Sequence, residues 1–267
     1  MTFNIRYGTG DDGAEAWPAR RALVAATIRD HAPHILGLQE ALRFQLDQVE
    51  ADTPGYEEVG VGRDDGRTAG EYSAILVDTS RYRVIDRGTR WLSDTPDAPG
   101  SATWGNTIPR IVTFALLEDR AADALVWVYN MHLDHQSQAS RERSVAYVLA
   151  LITEQEHRRV TRDAMRAEVS GARPAPRTIL MGDFNANESN AACRVAAAAM
   201  TDAYRAMHPD EADVETFNGW KPSGWTSGMI DHVLLGPGWR VIDAGIDRRR
   251  FDGLWASDHF AVWAILD

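Results

Sequence analysis

The residues Thr178-Ile-Leu-Met-Gly-Asp-Phe-Asn185 place polar groups directly after a buried-strand pattern. Three apolar residues lead to a glycine that lets the chain turn. Asp183 and Asn185 follow two apart, so both can point at one spot. A carboxylate that can take a proton from water, beside an amide that can hold the water still, equips a water-activating hydrolase. Other apolar runs end in the same kind of group: Asn4 in the first run, Gln39-Glu40, Asn130-Met-His132, Ile230-Asp231-His232 and Ser257-Asp258-His259. Any one of these reads equally well as a cap or a satisfied hydrogen bond, a lone histidine above all. Such groups are costly to bury unpaired, and strand ends gather at one rim of a sheet, where sites are built. A rim holding Glu40, Asp183, Asp231 and Asp258 would repel itself, and a divalent cation relieves that repulsion. Oxygen and amide donors without cysteine suit Mg²⁺ or Mn²⁺ better than zinc.

The elements that must position these groups are legible as alternating patterns. A strand is expected over 2–6, and Trp17-Pro18 opens a helix, with proline in the first turn where its missing N–H costs nothing. Leu23, Val24, Thr27 and Ile28 recur at helical spacing, and Pro33 stops the helix near His31. A buried strand over 34–40 leads to a helix over 42–50. Strands follow at 56–61, 73–77 and 82–85, the last two joined by a short turn. A Pro/Gly/Ser loop spans 94–105. Strands at 111–117 and 125–132 precede a long helix over 140–169. After the opening stretch come an Ala-rich helix over 190–200, a Gly/Trp loop over 214–228 and closing strands at 230–235, 241–246 and 260–266. Strands and helices mix in the manner of an α/β domain with mixed sheets. The runs 34–40 and 178–185 echo each other, each an apolar strand ending in a carboxylate and leading to a helix.

The chain has 267 residues, 44% of them hydrophobic, and is read as one catalytic domain over 1–267. Its net charge of −11 counts against a protein that lives on non-specific DNA contacts, so nucleic acid is a possible but disfavoured partner. Cys193 is the sole cysteine, which excludes an intrachain disulfide and a Cys-based zinc site. The sequence contains no transmembrane run of apolar residues. A cytoplasmic monomer is expected, or a secreted one if a leader was removed.

Taken in order, Gln39-Glu40, Gly182-Asp-Phe-Asn185 and Ser257-Asp-His259 resemble the endonuclease/exonuclease/phosphatase superfamily. That superfamily holds pancreatic-type deoxyribonucleases, abasic-site endonucleases, inositol-phosphate 5-phosphatases, neutral sphingomyelinases and deadenylases. The resemblance covers nearly the whole chain, 3–259. Asn4-Ile-Arg-Tyr7, Gly62-Arg-Asp-Asp-Gly66, Gly70-Glu-Tyr-Ser73 and His132-Leu-Asp-His135 are similar to a bacterial subgroup. The resemblance implies a four-layer α/β sandwich, two mixed and mostly antiparallel sheets packed face to face with helices outside. It implies Glu40 as the main Mg²⁺ ligand, helped by Asn4 and, directly or through water, by Asp258. Asp183 would take the proton from the attacking water and Asn185 would orient water and phosphate. His259, held in its tautomer by Asp231, would hydrogen-bond the phosphoryl oxygen. His132 would contact the phosphate or the leaving oxygen, propped by Glu71.

Arg110 and Asn130 complete the expected site as substrate contacts, though Arg110 opens a strand and can equally form an edge salt bridge. The loop 62–66 reads by default as a solvated turn. The expected activity is metal-dependent hydrolysis of a phosphate ester, small or lipid-derived sooner than duplex DNA. The competing readings are a nuclease of the same chemistry and a non-catalytic binding protein on the same fold.

Overall fold

Buried apolar runs set the order of elements in the computed structural model, which describes residues 1–122, 124–170 and 175–267. The chain begins with β1 (Thr2–Asn4), α1 (Trp17–His31), β2 (Ile35–Ala41), α2 (Arg43–Asp52), β3 (Tyr56–Val59) and β4 (Tyr72–Asp78). It continues with β5 (Tyr82–Trp91), β6 (Ile111–Asp119), β7 (Ala124–His132), α3 (Gln138–Ser170) and β8 (Arg177–Asp183). The last third holds α4 (Ala191–Ala199), β9 (Thr201–Asp202), α5 (Ala203–Met207), β10 (Asp231–Leu235), β11 (Val241–Asp247) and β12 (Ala261–Leu266).

These strands form two six-stranded sheets, ordered β11-β12-β1-β2-β4-β3 and β5-β6-β7-β8-β10-β9. Each has one parallel pair at its centre, β1 with β2 and β7 with β8, flanked by antiparallel neighbours. The two sheets therefore share one plan, and β2 and β8 hold equivalent places in it. The echo between 34–40 and 178–185 is a repeat of topology.

Alternate residues of each strand face opposite ways. Ile179 and Met181 of β8, Ile75 and Val77 of β4, and Val126 and Val128 of β7 meet in the core between the sheets. Leu180 and Tyr129 point outward, into a core shared with Val145 and Val148 of α3. Leu36 and Leu38 of β2 face Val24, Ile28 and Leu46 of α1 and α2 on the other side. Helices thus cover the outer faces, and the molecule is the expected four-layer α/β sandwich. Because both faces of the central strands are buried, they read as continuous apolar runs.

The expected short turn after β4 carries the chain from one sheet to the other, so β4 and β5 lie in different sheets. β5 also runs on to Trp91 as an edge strand whose polar residues face outward, with a bulge between Val84 and Asp86. No helix among the described residues is long and apolar enough to cross a membrane.

Candidate active site

The pairing directions bring the polar strand ends together. In the parallel pairs β1–β2 and β7–β8 the C-terminal ends lie side by side, which gathers Asn4, Glu40, His132 and Asp183. β10 runs antiparallel to β8, so its first residue, Asp231, lies opposite Asp183. β12 runs antiparallel to β1, so Asp258 and His259, just before it, arrive at the same edge. Three backbone features hold the rim in place. Gly182 has φ 144°, and a Cβ there would lie 1.9 Å from the Met131 carbonyl oxygen, so only glycine fits. Glu40 is left-handed at φ 62° in a register shift between Gln39 and Ala41, which turns its side chain away from the sheet's alternation. Asn185 is left-handed as well, at φ 47°.

Asn4 ties the two sheets at this rim. Its Nδ2 donates to Glu40 Oε1 at 3.0 Å and to Asp183 Oδ2 at 2.9 Å. Its Oδ1 accepts from the Arg6 N–H at 3.0 Å, and Glu40 Oε2 accepts from the Tyr7 N–H at 3.0 Å. Asp183 Oδ1 accepts from the Asn185 N–H at 2.7 Å. Burial, then the neighbouring Asp231 charge, pushes the Asp183 carboxyl up to about 7. Burial and the Glu40 charge raise Asp258 in the same direction.

The two histidines stand on either side of Asp183 in opposite charge states. His259 Nδ1 lies 2.9 Å from Asp231 Oδ2, and its Nε2 lies 3.7 Å from Asp183 Oδ2. Burial opposes a charge on this ring, but Asp231 and Asp183 outweigh it and hold the pKa well above the ordinary value. His132 Nε2 lies 2.9 Å from Asn185 Nδ2 and 3.6 Å from Asp183 Oδ2. Burial, and the Arg110 and Arg63 charges, hold this ring well below its ordinary value. His132 is therefore a neutral acceptor from Asn185, and His259 a cationic donor. Environments that push like groups apart in this way mark acid–base sites.

Glu71 Oε2 faces His132 Nδ1 at 3.9 Å, as expected of a prop, but Arg63 clamps the same carboxylate with contacts of 2.6 and 2.8 Å. Arg63 is thus tied to Glu71 and largely covered, not the solvated turn residue expected. The contact joins residues eight apart across a loop that folds back on itself, a spacing without a local periodicity to reveal it.

Of the two expected substrate contacts, Asn130 is corrected, and Arg110 is held at its edge by an ion pair. Asn130 is fully buried between the sheets, where Nδ2 donates to the Leu38 and Ala74 carbonyls at 2.9 and 2.7 Å and Oδ1 accepts from Gln39 at 2.6 Å. Its amide is consumed inside the fold. Arg110 is 3% exposed, with Nε 3.3 Å from Asp134 and Nη2 3.0 Å from His135 Nδ1, while its Nη1 has no hydrogen-bond partner among the described residues. Its charge adds to burial in holding the His132 pKa down.

The rim suits a hard cation. Ligand atoms of Glu40, His132 and Asp183 all lie within 4.8 Å of one another. The donors are carboxylate-rich, and Asp183 and Asp258 have raised pKa values because the negative charges crowd a buried place. Asn4 Oδ1 keeps one lone pair beside its bond to Arg6. Next to His259 opens a cleft of about 620 Å³ lined by Asn187, Ser189, Asn190, Phe217 and Ser227. Apart from His259 itself, the described lining is neutral: amides, hydroxyls, the Phe217 ring and the apolar Ala186, Ala191 and Ile230.

Comparison with known proteins agrees with this fold. A structure from Bacteroides vulgatus described as an endonuclease/exonuclease/phosphatase is 30% identical, covers 100% of this chain and 97% of its own, and superposes with a TM-score of 0.84. A mannosyl-6-phosphatase of Bacteroides thetaiotaomicron is 29% identical, with 100% and 98% covered and a TM-score of 0.82. The human nocturnin catalytic domain shares the fold at 16% identity, with 99% and 92% covered and a TM-score of 0.72. No curated protein sequence matches. The model of the endonuclease/exonuclease/phosphatase family matches residues 1–259, and the chain belongs to that family.

Proposed function

We propose that this chain, acting as one catalytic unit, hydrolyses the phosphate ester of a small polyhydroxylated substrate with the help of a divalent cation. The observation that carries the reading is the convergence of Glu40, Asp183, Asn185, neutral His132 and cationic His259 on one rim. Glu40, with Asp258 and the free lone pair of Asn4, would hold Mg²⁺ or Mn²⁺. Such an ion neutralises phosphoryl charge when bound.

The chain's own residues supply the rest. Asp183 accepts the proton of the attacking water, a contribution of roughly 10²–10⁴-fold. Asn185 orients that water through the amide it already shares with His132. His259 donates from Nε2 to a phosphoryl oxygen, while Asp231 keeps the ring charged and turned toward the site. His132, held by Asn185 and faced by Glu71, lines the side from which the leaving oxygen departs.

The cleft beside His259 supports a small substrate. Neutral amides and hydroxyls match sugar hydroxyls by exchanging hydrogen bonds, whereas a nucleic-acid backbone calls for a basic track. The similar mannosyl-6-phosphatase points to the same class of ester. The test is Mg²⁺-dependent turnover across hexose 6-phosphates, inositol phosphates, bis-p-nitrophenyl phosphate, sphingomyelin, plasmid DNA and RNA. Phosphate release from the sugar esters is expected. Cleavage of nucleic acid alone would overturn the reading in favour of a nuclease.

A further inference from the structure

The first turn of α1 carries a cation that is almost wholly buried, Arg20, 1% exposed. All three nitrogens of its guanidinium donate to main-chain carbonyls. Nε donates to Glu15 at 2.9 Å and Nη2 to Arg6 at 2.8 Å. Nη1 donates to Ile5 and, at 3.5 Å, to Ala256. The group lies over the Trp17 and Trp220 rings, 5.0 and 5.5 Å from their centroids. A buried charge is costly, so one spent on loop carbonyls needs an account.

Two of those carbonyls supply it. The Ile5 C=O and the Arg6 N–H belong to one peptide unit, and the Arg6 C=O and the Tyr7 N–H to the next. The Arg6 N–H donates to Asn4 Oδ1 and the Tyr7 N–H to Glu40 Oε2, both at 3.0 Å. A peptide unit is planar and stiff, so holding its oxygen aims its N–H. Arg6, between the two units, is left-handed at φ 56°. A residue other than glycine keeps that conformation only where its surroundings over-determine it. Trp220 is left-handed too, at φ 63°, against the same guanidinium. Its loop donates the Asn218 and Gly219 N–H groups to the Asp258 carbonyl at 2.7 and 3.1 Å.

We propose that Arg20 is a positioning residue for the rim: through the two peptide units that flank Arg6 it sets the places of Asn4 and Glu40 for the divalent cation. The inference rests on the metal reading proposed above. Lysine does not replace this grip, because a compact ammonium lacks the planar fork that reaches carbonyls of separate segments. The Arg6 guanidinium does not replace it either, since it is engaged with Asp12 at 2.9 to 3.3 Å.

The experiment titrates Mn²⁺ into Arg20→Lys without substrate, by calorimetry, and follows amide hydrogen exchange in the same protein. Mn²⁺ affinity is expected to fall about 10–100-fold, the usual effect of removing a group that orients metal ligands. The Arg6 and Tyr7 amides should exchange about tenfold faster or more. Ile28→Val is the control. It trims the core beneath the same helix, lowers stability and leaves the grip intact. Its Mn²⁺ affinity and its exchange at Arg6 and Tyr7 are expected to match wild type. Unchanged Mn²⁺ affinity in Arg20→Lys, or an equal loss in Ile28→Val, overturns the role. If wild type itself binds no Mn²⁺, the metal reading fails, and exchange at Arg6 and Tyr7 alone decides the grip. Should Arg20→Lys fail to fold, NMR of the wild-type guanidinium decides it. Separate, protected Nη signals for Arg20 are expected, and one averaged, fast-exchanging signal overturns the grip.

Discussion

Asn4 spends both hydrogens of its amide on carboxylates from different sheets, so the relative position of Glu40 and Asp183 depends on one side chain. The two histidines show the same economy. They sit on either side of one aspartate, and their surroundings alone make one a donor and the other an acceptor. Asp231 is the residue that decides the state of His259. Asp231→Asn keeps the shape of the pair and removes the charge. Its kcat is expected to fall by roughly 10²–10⁴-fold with little change in KM, because the group lost acts on the transition state. Steady-state kinetics with an NMR titration of His259 checks this. An unshifted titration with unchanged kcat would refute the role. Alanine at His259 is a poorer probe, since it leaves Asp231 buried and unpaired, which costs about 3–5 kcal/mol in stability.

At the scale of elements, the strand ends were legible because apolar runs that stop at a polar residue repeat along the chain. Their depth was not. Asn130 and His132 lie two apart on the same face of β7, yet His132 reaches the rim while Asn130 lies one pair deeper, covered by Gln39. A sequence pattern of period two cannot tell those positions apart. The Arg63–Glu71 clamp and the transfer between sheets after β4 were hidden for a related reason, since tertiary pairing decides both. The depth of Asn130 is testable. Asn130→Leu is expected to lower stability by about 2–5 kcal/mol, as Leu38 and Ala74 lose a buried donor, with KM unchanged. A shifted KM with normal urea unfolding would restore Asn130 as a substrate contact. Gly182→Ala is expected to cost more than about 3 kcal/mol, because the new Cβ meets backbone that cannot move aside. The link between β9 and β10 has its own pH signature. His232 has a folded pKa raised to about 10, against roughly 6.5 when unfolded. The pair with Asp202 thus stabilises fully below about pH 6.5 and loses its contribution as pH rises through 10. Melting curves of wild type and His232→Gln should converge across that window. A constant gap would contradict the charged pair.

For the molecule as a whole, two sheets of the same plan meet so that their parallel pairs open onto one rim, and one contributes Glu40 while the other contributes Asp183. The fold thereby brings the proposed metal ligand and the proposed base together. The net charge of −11 and a cleft whose lining beyond His259 is neutral are what the proposed preference for a small ester rests on. Turnover of a small ester should change little between 50 and 200 mM salt, roughly the range over which a protein making many phosphate contacts loses about 10³–10⁵ in affinity. The central claim is that Glu40 works through a metal and Asp183 works on water. Metal titration of hydrolysis in Glu40→Gln and Asp183→Asn separates the two. Chelation should abolish wild-type activity, and excess Mg²⁺ or Mn²⁺ should restore most of the activity lost in Glu40→Gln. Asp183→Asn should stay down by roughly 10²–10⁴-fold at every metal concentration. Equal, metal-insensitive losses in both variants, or near wild-type turnover in Asp183→Asn, would contradict the account.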